Sequence, residues 1–144
     1  MSLDGTHCLV VEPTEFDPEM CSPKLDHAAY AYEIGVSTCR SAIVWINGPY
    51  KAGTYTDIKI FREKGLMQQM PHGKKAIADK GYNGEPVFLA TPNRMDSHIL
   101  KKFKRRARAR HESLNTRLKN FKCLAHLVNS TAVPTAGFVG IVLT

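Results

Sequence analysis

Three acids stand where they could do chemistry together. Asp4 lies in an apolar opening stretch as Asp4-Gly5-Thr6-His7. Asp79 ends the short apolar run KKAIA, just ahead of a Gly-containing turn. Glu112 is the lone acid between Lys101 and Lys122. Carboxylates that converge on one point repel unless a cation neutralises them. Hard divalent ions such as Mg2+ or Mn2+ prefer oxygen ligands, and two of them ~3.5–4 Å apart clamp the attacking and leaving oxygens of a phosphodiester. Metal ligation for phosphoryl transfer is the chemistry these three would share. Asp57, in Thr54-Tyr55-Thr56-Asp57, is an accessory candidate ligand.

Each acid also has a plainer reading. Asp4 suits a strand edge and Asp79 an ordinary turn. Asp57 falls at a helix start, where the helix dipole favours an acid. Glu112 could pair with Arg108 one turn back, a contact worth ~0.3–0.5 kcal/mol. Against this, Asp79 sits at the carboxyl end of a strand, where open α/β sheets bind ligands.

The company of Glu112 is the most informative signal. From Lys101 to Lys122 the chain carries ten of its 20 Lys and Arg residues, and the rest of the sequence is slightly acidic. The net charge of +7 is thus one local feature, the footprint expected of a phosphate-binding surface. Lys101, Lys104, Arg105, Arg108 and Lys119 are the candidate DNA-backbone contacts. On a helical wheel Leu114, Leu118, Phe121, Ala125 and Val128 form a stripe expected to pack on a sheet, with Glu112 and Asn115 on the basic side.

The elements that must position these residues read as β-β-β-α-β followed by a helical second half. Strands are expected over Leu3–Val11, Ala28–Ser37 and Ser41–Asn47. The last should be buried on both faces and stopped by Asn47-Gly48-Pro49. A helix is expected over Thr54–Gln69, capped by Thr54 or Thr56. Short strands follow at Lys74–Ala78 and Val87–Ala90, then a long helix from His98 to about Val128. The expected organisation is one catalytic domain over residues 1–129 and an irregular tail over 130–144.

The chain has 144 residues with 43% hydrophobic content, enough for one domain with a real core. No apolar run approaches the ~20 residues of a membrane span, so no membrane partner is expected. The opening residues carry no secretory signal. The four cysteines, Cys8, Cys21, Cys39 and Cys123, form no C-x-x-C pair, which disfavours structural zinc and fits reduced thiols inside a cell.

Taken together and in order, DGTHC, SPKLDHAAYAYEIGVS, VWINGPYKAGTYTDIKIFR, IADKGYNG and RHESLNTRLKNFKCL give a chain that resembles the DDE endonuclease domain of the Harbinger transposase superfamily. The resemblance spans roughly residues 3 to 127. It implies an α/β, ribonuclease H-like fold with a mixed central sheet flanked by helices, and catalytic acids at Asp4, Asp79 and Glu112. It also implies two Mg2+ or Mn2+ ions, attack by activated water at a transposon end, and strand transfer by the freed 3′-hydroxyl into target DNA. Family members carry a helical DNA-binding region ahead of this domain, so the first strand is expected to be clipped. Homo-oligomerisation, a separate DNA-binding partner protein and, in a eukaryote, a nuclear location are further implications. A second reading is a domesticated or truncated, non-catalytic DNA-binding domain derived from a transposase.

Overall fold

Apolar, β-branched and aromatic residues dominate the first half of the chain, and they form a three-stranded antiparallel meander. The computed structural model describes residues 1–40 and 42–120. Strand β1 (Ser2–Leu9) pairs antiparallel with β2 (Ala29–Val36), which pairs antiparallel with β3 (Ile43–Lys51). The chain then crosses over through α1 (Asp57–Glu63) and α2 (Leu66–Gln69) to β4 (Ala76–Ile77), which lies parallel to β1. A single 3-10 turn, Lys80–Tyr82, leads on towards β5 (Leu89–Ala90), parallel to β4, and α3 (His98–Lys119) ends the described chain. The sheet order is β3-β2-β1-β4-β5, a mixed sheet with helices packed on it.

Burial follows position in that order. Of the run Ser41–Asn47, expected to be buried on both faces, Ser41 lies outside the described residues, and from Ile43 on the run belongs to an edge strand. Val44 and Ile46 are exposed while Ile43, Trp45 and Asn47 are half-buried, so one face of β3 lies open. The strand buried on both faces is β2, which lies between β1 and β3. Nor does Asn47-Gly48-Pro49 stop the third strand. Edge strands tolerate proline, and β3 runs through a cis Gly48–Pro49 bond to Lys51.

The expected Thr54–Gln69 helix divides in two at Gly65, whose φ of 99° no L side chain adopts without strain. Thr56 is the N-cap residue of α1, but its hydroxyl makes no capping bond. Leu3, Phe61, Leu66, Ala76, Ala78, Tyr82 and Leu89 form the main core beneath α1 and α2. The opposite face of β1 meets α3, through the Ser2–His111 contact at 3.2 Å.

The long helix is continuous across Arg110 up to Lys119. Its buried side chains are Lys104, Ala107 and His111, with Leu114 and Leu118 half-buried along the same line. Phe121, Ala125 and Val128 of the expected stripe lie outside the described residues, as does the tail over 130–144.

Candidate active site

Strands β1 and β4 pair only where Ser2 faces Ile77. Beyond that pair the two parallel strands separate, and their carboxyl-side continuations border a gap. Asp4 lies two residues past Ser2 and Asp79 two residues past Ile77, so the acids stand on the two sides of the opening. Asp79 caps the 3-10 turn, its Oδ1 accepting from the Gly81 backbone N–H at 2.8 Å. Asp4 Oδ1 accepts from the Gly5 N–H at 2.9 Å, and its Oδ2 accepts from Asn115 Nδ2 of α3 at 3.1 Å.

Asp57 enters the gap from the other face, at the first residue of α1. A Cβ on Gly5 would overlap Asp57 Oδ1. A Cβ on Gly81 would lie 3.1 Å from Asp79 Oδ1 and 3.2 Å from Asp57 Oδ2. These two carboxylates therefore flank one point and lie no farther apart than those two distances together. Asp57, expected to be accessory, is central to the cluster. The Lys24 ammonium bridges both its oxygens at 2.9 and 3.3 Å.

Electrostatics reflect the crowding. Burial, then the charges of Asp79 and Asp57, push the Asp4 carboxyl up to about 6, while the Gly5 N–H and Lys24 oppose the shift. Burial, then the charge of Lys24, pulls His7 down to about 4, so His7 is neutral near pH 7. Its Nδ1 meets Ser22 Oγ at 2.7 Å. That hydroxyl also accepts from the backbone N–H groups of Lys24 and Leu25, so it must give its own proton to His7. The bond ties the Lys24 turn to β1. Burial likewise pulls His111 down to about 4.

Glu112 is exposed and lies one turn before Asn115 on α3. Its side chain makes no ion pair among the described residues, so the Arg108 pairing does not form. Among the described residues no group of three or more His, Cys, Asp or Glu side chains is placed to hold a metal ion. Uncompensated carboxylates have a physical reason to stand apart. The donor set itself, carboxylate oxygens with an amide beside them, suits a hard divalent ion rather than a soft one.

The basic candidates divide. Lys101, Arg105 and Lys119 are exposed and Arg108 is half-buried. Lys104 is not a surface contact. It is 6% exposed, and its ammonium donates to Thr91 O at 2.7 Å and Asp96 Oδ2 at 2.8 Å, clamping α3 to the preceding loop. Lys104, expected to contact DNA, is buried instead because a long stem can bury itself when its charge finds a partner.

Two contributors escaped the sequence reading. Lys24 carried no local signal beyond lying in SPKLDH. Glu33 did carry one, being an acid inside the apolar strand AAYAYEIGVS. It faces Gly5 across the β1–β2 ladder, is fully buried, and accepts from Trp45 Nε1 at 2.9 Å. Burial pushes it up to about 7, opposed by Trp45 and by a hydrogen bond with Tyr82. By strict distance and angle Glu33 Oε1 and the Tyr82 hydroxyl are both unpartnered. Two orphans in one buried space are best read as each other's long partner, the phenol donating. Glu33 thus lies beneath Asp57 and braces the turn that Asp79 caps.

A family model described as DDE superfamily endonuclease matches residues 3–139 of the chain. Comparison with curated proteins gave no match, and neither did comparison with solved structures.

Proposed function

Because the chain belongs to the DDE superfamily endonucleases, we propose that it is the catalytic core of a transposase-type nuclease that cuts phosphodiester bonds at transposon ends. One observation carries this reading: Asp4, Asp57 and Asp79, far apart in sequence, gather at the gap between β1 and β4. The sheet order β3-β2-β1-β4-β5 supports a ribonuclease H-like fold, and the five ordered stretches named above support the Harbinger branch.

Asp4, Asp79 and Asp57 would hold Mg2+ or Mn2+, with Glu112 reaching in from α3. When bound, such ions would supply positive charge at the scissile phosphate and make water a competent nucleophile. The chain's own residues do the rest. Asn115 and the Gly5 N–H orient Asp4, the 3-10 turn orients Asp79, and Lys24 holds Asp57 in place. Lys101, Arg105, Arg108 and Lys119 would grip the DNA backbone without reading sequence. Target DNA, a second copy of the chain, a separate DNA-binding protein and a nuclear location in a eukaryote belong to the same proposal.

The exposure of Glu112, which touches none of the other acids, favours a second reading: a non-catalytic DNA-binding domain derived from a transposase. Nicking of a supercoiled plasmid with and without Mg2+ separates the two. The first reading expects metal-dependent nicking that Asp79→Asn abolishes. Equal nicking by parent and variant would sink it, and salt-sensitive DNA binding without nicking would favour the second.

A further inference from the structure

Asn115 is the α3 side chain that touches the acid cluster. Its Nδ2 donates to Asp4 Oδ2, while its Oδ1 is buried and has no hydrogen-bond partner among the described residues. The orientation is dictated by chemistry: a carboxylate only accepts, so the NH2 group must face Asp4, which leaves the carbonyl oxygen of the same amide without a donor. A buried acceptor with no donor asks for a water or an ion. This one lies beside a carboxylate already crowded by the charges of Asp79 and Asp57.

We propose that Asn115 Oδ1 is a neutral oxygen ligand for a divalent cation held at Asp4, so that α3 supplies two donors one turn apart, Glu112 and Asn115. The proposal rests on the reading of Asp4 and Asp79 as metal-holding acids. Amide oxygens are ordinary ligands of hard cations beside carboxylates. A neutral donor also adds no repulsion to a cluster that already holds three acids. The same amide would then do two jobs, its nitrogen fixing the Asp4 rotamer and its oxygen completing the coordination.

The test is calorimetric titration of the full chain with MnCl2, backed by Mn2+-induced shifts in the thermal midpoint. Asn115→Ala is expected to weaken Mn2+ binding about 10–100-fold, the range seen when groups supporting a metal site are removed. Asn115→Asp separates a ligand from a mere hydrogen-bond donor. It keeps an oxygen in place but loses the donor to Asp4, so a ligand role expects Mn2+ binding at least as tight as the parent's.

An Asn115→Asp variant as weak as Asn115→Ala would overturn the proposal. So would an Asn115→Ala variant that binds like the parent. If Asn115→Ala fails to fold, Asn115→Asp decides alone. A parent that binds no Mn2+, or an Asp79→Asn variant that binds as well as the parent, overturns the metal reading itself and this inference with it.

Discussion

Gly5 and Asp57 share one space: the first has no side chain, and the carboxylate of the second occupies the position where a Cβ would be. Asp57 can therefore reach the Asp4–Asp79 gap only while residue 5 is glycine. Gly5→Ala should push Asp57 away from the cluster and lower Mn2+ affinity at least about tenfold, the loss expected when groups supporting a metal site are disturbed. Circular dichroism would check that the fold survives. Unchanged affinity would mean that Asp57 has no part in cation binding.

Asp4 gives a pH signature. Its folded carboxyl keeps a proton up to about 6 against an ordinary 3.8, chiefly through burial. Between those values the folded state binds more protons than the unfolded state, so stability falls as pH rises through the window. Asp4→Asn should therefore stabilise the metal-free protein by about 1–3 kcal/mol at pH 7 and by almost nothing at pH 3.5. Urea unfolding in EDTA at both values measures the difference, and an equal effect at the two pH values would contradict it.

Glu33 separates charge from hydrogen bonding. Glu33→Ala leaves the Trp45 N–H and the Tyr82 hydroxyl without a partner in a closed space, at an expected cost of about 2–4 kcal/mol. Glu33→Gln can accept from Trp45 and still meet Tyr82, so it should stay within ~1 kcal/mol of the parent near pH 5. Because the folded Glu33 carboxyl is raised to about 7, the parent loses stability as pH rises towards 7, and the Gln variant should gain on it. Parallel denaturation curves from pH 5 to 8 test this; a constant gap between the two proteins would refute it.

The basic helix should show two kinds of lysine and arginine. Arg105→Ala with Arg108→Ala should reduce the salt slope of DNA binding by about 1–2, weaken all sequences alike and leave the thermal midpoint nearly unchanged. Lys104→Ala should do the reverse, lowering the midpoint because Asp96 and Thr91 O lose their buried partner, with the salt slope intact. Fluorescence anisotropy against salt, paired with melting curves, decides. A reduced slope in Lys104→Ala would place that ammonium on DNA after all.

What could be read in the sequence was what depends on local pattern. The β1 and β2 strands, the start of α3 at His98 and the position of Asp79 after a short strand all follow from alternation, periodicity and turn residues. What could not be read depends on neighbours brought from afar. SAIVWIN looks the same whether it lies at a sheet edge or in its middle, and only the strand order makes it an edge. Asp57 looked like a dipole-favoured helix start because nothing in its own segment records that Gly5 leaves it room. Lys104 and Lys101 belong to one basic run, and the loop carrying Asp96 gives Lys104 the partner that lets it be buried.

The Asp4–Asn115 contact joins residues 111 positions apart and closes the site across nearly the whole described chain. Closing so long a loop is entropically slow, and it brings no reward until the sheet and α3 are both in place. The meander alone, or α3 alone, holds only part of the acid cluster's support. A refolding chain should therefore gain secondary structure first and cation affinity last, and a cation that binds only the finished site would act as a late latch on the native state.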